Sequence, residues 1–248
     1  DGAVPSTVDD IVLPKPFRGH QIVIPAFPVA SGQEVQWNYY YKLPNEQPIW
    51  VNRVEFLYPP GSHHLNLFTG PDAGHPDGYK EPVGFRVVPF DTWKLRASSQ
   101  VGRLDWRLPP GVAMPMDPHQ QLLAQIHFVN IGSQVSPVGG CAAINLHTIE
   151  PAEPPQTLGS LFLQNKNIRV PPQSEVAWDY GITFDYYRHN VPVKLAAVTG
   201  HFHWRGKTFE IRLWDGLNKK FDGSPADGEF DRMGPESTIY LSDNWDEP

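Results

Sequence analysis

Leu122-Leu-Ala-Gln-Ile-His-Phe-Val-Asn130 reads as a β-strand whose alternation sets Gln125, His127 and Val129 on one face and Ile126 and Phe128 on the other. Outward from it, short runs rich in β-branched and aromatic residues recur at 21–24, 34–43, 50–58, 64–68, 121–131, 141–149 and 160–164. The second half adds 175–184, 193–204, 208–214 and 238–241. Pro-Pro-Gly, Asp-Gly and Asn-Glu turn signals punctuate them. With 27 prolines and 21 glycines among 248 residues, long helices have little room. The chain is expected to be all-β.

Its length and apolar content allow one large β domain or two ordinary ones. Three prolines within Glu150-Pro-Ala-Glu-Pro-Pro155 withhold backbone donors from any sheet and favour an extended spacer, which predicts domains at 1–150 and 151–248. An internal echo agrees with that division. Glu34-Val-Gln-Trp-Asn-Tyr39 resembles Glu175-Val-Ala-Trp-Asp-Tyr180, 141 residues later, and a paired-histidine cluster follows each copy at similar spacing.

Those clusters are Gly61-Ser-His-His-Leu-Asn-Leu-Phe68 and Thr199-Gly-His-Phe-His-Trp204. In the second, the strand period aims His201 and His203 to one side, close enough to share an ion. In the first, an ideal strand sends His63 and His64 to opposite faces. A bulge or strong twist after Pro59-Pro60-Gly61 would bring both rings to one side, with His127 as the third ligand from a rigid strand. Imidazole-only ligation suits copper, zinc or iron(II), and the affinity order favours copper. Zinc hydrolysis would need a general base. No carboxylate adjoins either cluster, although Asp105 or Asp185 could fold in. Met114, Met116 and Met233 could supply soft thioethers, which favour copper(I), but the first two are expected to pack where a strand begins and Met233 to lie in a polar loop. His20, His75, His119, His147 and His189 are expected to be ordinary core or surface residues.

A net charge of −7 and the lack of a basic patch argue against nucleic acid as a partner. No apolar run approaches the roughly 18 residues needed to span a bilayer, so a soluble chain is expected. The lone cysteine, Cys141, excludes an intrachain disulfide and thiolate-rich metal sites, and a buried spectator role is expected for it.

The ordered set Gly-Ser-His63-His64-Leu-Asn-Leu-Phe, Gln125-Ile-His127-Phe and Gly200-His201-Phe-His203-Trp204 resembles the copper type II, ascorbate-dependent monooxygenases, from about residue 20 to the end. The resemblance implies two jelly-roll-like antiparallel β-sandwiches in tandem, each with one mononuclear copper. It assigns His63, His64 and His127 to an electron-donating copper, and His201 and His203 to an oxygen-activating one. The third ligand of the latter is a methionine from a later strand. Applying the first cluster's spacing to the second also puts a third ligand near position 266, beyond Pro248. The implied chemistry is hydroxylation of a C–H bond of a small organic substrate by dioxygen with ascorbate as reductant, in a periplasmic or secreted setting. Peptide-amidating members carry an arginine two residues before the His-x-His pair, where this chain has Thr199, so a peptide carboxylate is not the expected substrate. Two rival readings are a non-catalytic copper carrier on the same scaffold and a carbohydrate-binding module. In the latter Trp37, Trp50, Trp106, Trp178 and Trp204 would stack on sugars.

Overall fold

The computed structural model describes residues 11–59, 61–84, 89, 92–133, 140–165, 167–180, 194–202, 205–213 and 237–243. The chain divides into two compact units, Asp1–Phe162 and Leu163–Pro248. The division falls after Phe162 rather than after Glu150, and the proline-rich segment belongs to the first unit.

The all-β expectation holds: the described residues form thirteen strands and no α-helix. In the first unit these are β1 (Gly19–Ile24), β2 (Glu34–Lys42), β3 (Ile49–Leu57), β4 (Ser62–Gly70), β5 (Lys80–Val83) and β6 (Lys94–Ser99). They continue with β7 (Arg103–Arg107), β8 (Val112–Met116), β9 (Gln121–Val129), β10 (Ala142–Ile149) and β11 (Gln156–Thr157). One sheet runs β1-β10-β3-β8-β11, with β7 also on β3, and the other runs β5-β2-β9-β4-β6. Pairing is antiparallel except for β11, which lies parallel to β8 just after the three prolines.

The two sheets bury one core between them. Ile22 and Ile24 from β1, Val54 and Phe56 from β3, and Ile144 and Leu146 from β10 meet Leu65 and Leu67 of β4 and Leu122, Ala124 and Ile126 of β9. These positions alternate along each strand as the period of two requires, and each large apolar side chain sealed there contributes about 1.5–3 kcal/mol. Met114 and Met116 are buried in the same core, as expected of packing residues, but they lie within β8 and at its end rather than where a strand begins. Cys141 is buried in a smaller cluster with Ile11, Leu13 and Leu57, where burial pushes its thiol up to about 11.

Strands β5 to β8 escape a reading based on β-branched and aromatic runs. Lys94-Leu-Arg-Ala-Ser-Ser99 and Arg103-Leu-Asp-Trp-Arg107 are dominated by polar and charged residues, and β5 and β8 each contain a proline. β5 is an edge strand, where a missing amide donor costs least.

In the second unit the described strands are β12 (Phe209–Arg212) and β13 (Thr238–Ser242), paired antiparallel with a register shift beside Arg212. The runs at 160–164, 175–184 and 193–204 do not behave as expected. Their described residues form no strand beyond a single bridge at Trp178. A β propensity is realised only where a neighbouring strand accepts the backbone hydrogen bonds.

Candidate metal centre

The outer face of the β5-β2-β9-β4-β6 sheet carries three successive rungs. Tyr40 of β2, Leu123 of β9 and Phe68 of β4 form an apolar rung, covered by Trp93, Tyr79 and Leu95. Next comes a polar rung of Asn38, Gln125 and Asn66, in which Gln125 Nε2 donates to Asn38 Oδ1 at 3.1 Å and Ser98 Oγ donates to Asn66 Oδ1 at 2.6 Å. The last rung is Gln36, His127 and His64.

His63 joins this rung through a bulge. Ser62 lies opposite Phe128 and His64 opposite His127, so two residues of β4 advance against one of β9 and His63 is the extra one. The turn before it fixes the distortion. Gly61 has a φ of 87°, and its carbonyl accepts the Val129 amide at 2.7 Å. The objection that neighbouring strand residues face apart is therefore removed by the backbone itself.

The three rings meet in mutual contact. Centroids lie 5.3 Å apart for His63–His64, 5.1 Å for His63–His127 and 5.0 Å for His64–His127, with the last two pairs edge-on. One ring nitrogen from each falls within 4.8 Å of the other two. A trigonal ion about 2.0 Å from each nitrogen needs those atoms roughly 3.5 Å apart, an inward movement of less than about 1 Å per ring. His127 is only 5 % exposed and the other two are half-buried, so rigid surroundings hold the donors. Nε2 of His63 and Nδ1 of His64 are themselves buried and take no hydrogen bond. Three neutral nitrogen donors with no thiolate fit copper, zinc or iron(II), and they leave coordination positions open for a further ligand.

No family model matches the chain, and no curated protein does so either.

A carboxylate absent from the sequence reading borders the centre. Glu34 Oε1 lies 2.7 Å from His127 Nε2. Glu34 is opposite Val129 and Gln36 opposite His127, so Glu34 reaches the ring diagonally across the β2–β9 ladder. The signal was present in the echoed motif that Glu34 opens. Its counterpart Glu175 is paired with Lys207.

Elsewhere the described residues bring no second group of three ligands together. His201 is exposed and lies outside any strand, and Phe202 stacks on Phe209 at 5.9 Å. His203, Trp204, Asp185, His189 and Met233 lie outside the described residues. Asp105 is held by Arg53 at 2.5 and 3.0 Å on the opposite sheet. His147 bonds Glu55 at 2.5 Å, and His75 stacks on Tyr79 at 4.1 Å. Trp37 and Trp106 are partly buried and pack against the core.

Proposed function

We propose that this chain is a copper-dependent monooxygenase that hydroxylates a C–H bond of a small organic substrate, using dioxygen and an ascorbate-type reductant outside the cytoplasm. The observation that carries this reading is the convergence of His63, His64 and His127 from β4 and β9 on one point. A bound copper would supply one-electron chemistry between its two oxidation states. His63, His64 and His127 hold it for electron delivery. The hydrogen-bonded polar rung of Asn38, Gln125 and Asn66 lies next to that centre on the same sheet face. His201 and His203 are assigned the ligation of a second copper at which dioxygen is used, on a sandwich related to the first. A net charge of −7 suits a small organic substrate better than a polyanion.

The test is copper content with ascorbate-dependent oxygen uptake. About two coppers per chain with uptake support the enzyme. Absence of copper binding, or uptake unchanged in a His201→Ala, His203→Ala double variant, refutes it. A copper carrier is the second reading, favoured by the exposed, off-strand position of His201. One copper per chain, lost in His127→Ala and accompanied by no oxygen uptake, selects it.

A further inference from the structure

Glu34 places a carboxylate against the three-histidine group, through His127. A carboxylate accepts, so the bond at 2.7 Å has the neutral His127 ring carry its proton on Nε2, which leaves the ring's lone pair on Nδ1. Glu34 itself stands outside the set of atoms that could share an ion. Its backbone is clamped: Gly32 N donates to Asn130 O at 2.8 Å and Asn130 N donates to Gln33 O at 2.9 Å, tying the start of β2 to the end of β9. The carboxylate is thus placed by the same ladder that places His127.

We infer that Glu34 is a positioning residue of the centre, committing His127 to donate through Nδ1 and biasing a bound copper toward its oxidised form. The inference rests on the copper reading above. A hydrogen-bonded carboxylate orients an imidazole ligand and raises its basicity. Electron-rich nitrogen and a nearby negative charge stabilise copper(II) more than copper(I), which makes the centre a better electron donor. Loss of such a partner weakens metal binding about 10–100-fold. Glu34 is 48 % exposed, so water screens its charge and the lower end of that range applies.

The experiment uses the full chain carrying His201→Ala and His203→Ala, so that only this centre is read. Copper(II) and anaerobic copper(I) affinities are measured by chelator competition for that parent and for added Glu34→Gln, Glu34→Ala or His127→Ala. Glutamine keeps an acceptor oxygen and the side-chain shape but removes the charge. Glu34→Gln is expected to lose about tenfold in copper(II) affinity and clearly less in copper(I), with an unchanged melting temperature of the metal-free protein. A tenfold difference between the two oxidation states raises the midpoint potential by about 59 mV. Equal weakening of both states marks a merely structural role and overturns the inference. So does wild-type affinity in both Glu34 variants while His127→Ala loses copper, an outcome that leaves the copper reading standing. Wild-type affinity in His127→Ala overturns the copper reading itself.

Discussion

Replacing Gly61 by alanine tests whether the backbone before β4 builds the metal centre. At a φ of 87° an added Cβ incurs the left-handed penalty of about 1–2 kcal/mol. It would also come within 2.9 Å of the Val129 carbonyl and 3.2 Å of the Phe128 ring. The first of these is backbone in the adjacent ladder and cannot swing aside, so overpacking adds about 1–3 kcal/mol. Gly111 is the internal control. It has a φ of 78° with nothing within 4 Å of its ideal Cβ, and therefore carries only the first cost. Gly61→Ala is expected to destabilise by about 2–5 kcal/mol and Gly111→Ala by about 1–2 kcal/mol. Chemical denaturation gives both values. Copper competition supplies the second readout, because any relief of the clash at Val129 shifts the register that makes His63 the bulged residue. Gly61→Ala should lose copper affinity while Gly111→Ala keeps it. Equal stability losses in the two variants, with copper binding intact in both, would refute the claim that close approach at Gly61 sets the bulge.

Three further outcomes are expected. His64→Ala removes one bound copper equivalent, read by metal analysis of the purified protein, while its metal-free melting temperature changes little because the ring is only half-buried. Stability falls in acid through two carboxyl groups. Asp105 is held below its usual value by the Arg53 hydrogen bond against some desolvation, and Glu55, which burial pushes up, is brought down by hydrogen bonds from Asn145 and His147 and by the Arg53 charge. Both stabilise above their unfolded values of 3.8 and 4.5, and the benefit is lost as pH drops through the depressed folded values. Asp105→Asn should flatten the acid limb of a melting curve series taken from neutral pH to about 2.5, and an unchanged limb would count against the Arg53 pairing. Cys141, buried with its thiol raised to about 11, should resist a thiol reagent near pH 8 in the native protein and react on unfolding.

The strand periodicity of residues 122–130 contained enough information to sort Ile126 toward the core and His127 away from it, because a period of two is local. The same logic located β1 to β4, β9 and β10 within a few residues. It missed β5 to β8, whose lysines, arginines and prolines are tolerated because a partner strand supplies the pairing. It overreached at 193–204, where the residues have strand character and the described portion has no strand partner.

Composition and spacing alone established an all-β chain, a single buried thiol and a short set of candidate ligands, since each depends on residue type or on neighbours a few positions away. Only the tertiary structure decided that His63 bulges toward His64, that both meet a ring 63 residues beyond His64, and that Glu34 closes on that ring from 93 residues away. Those contacts cross the β2-β9-β4 ladder, and the register of a ladder is settled by which hydrogen bonds form between distant strands and by the core packed beneath them.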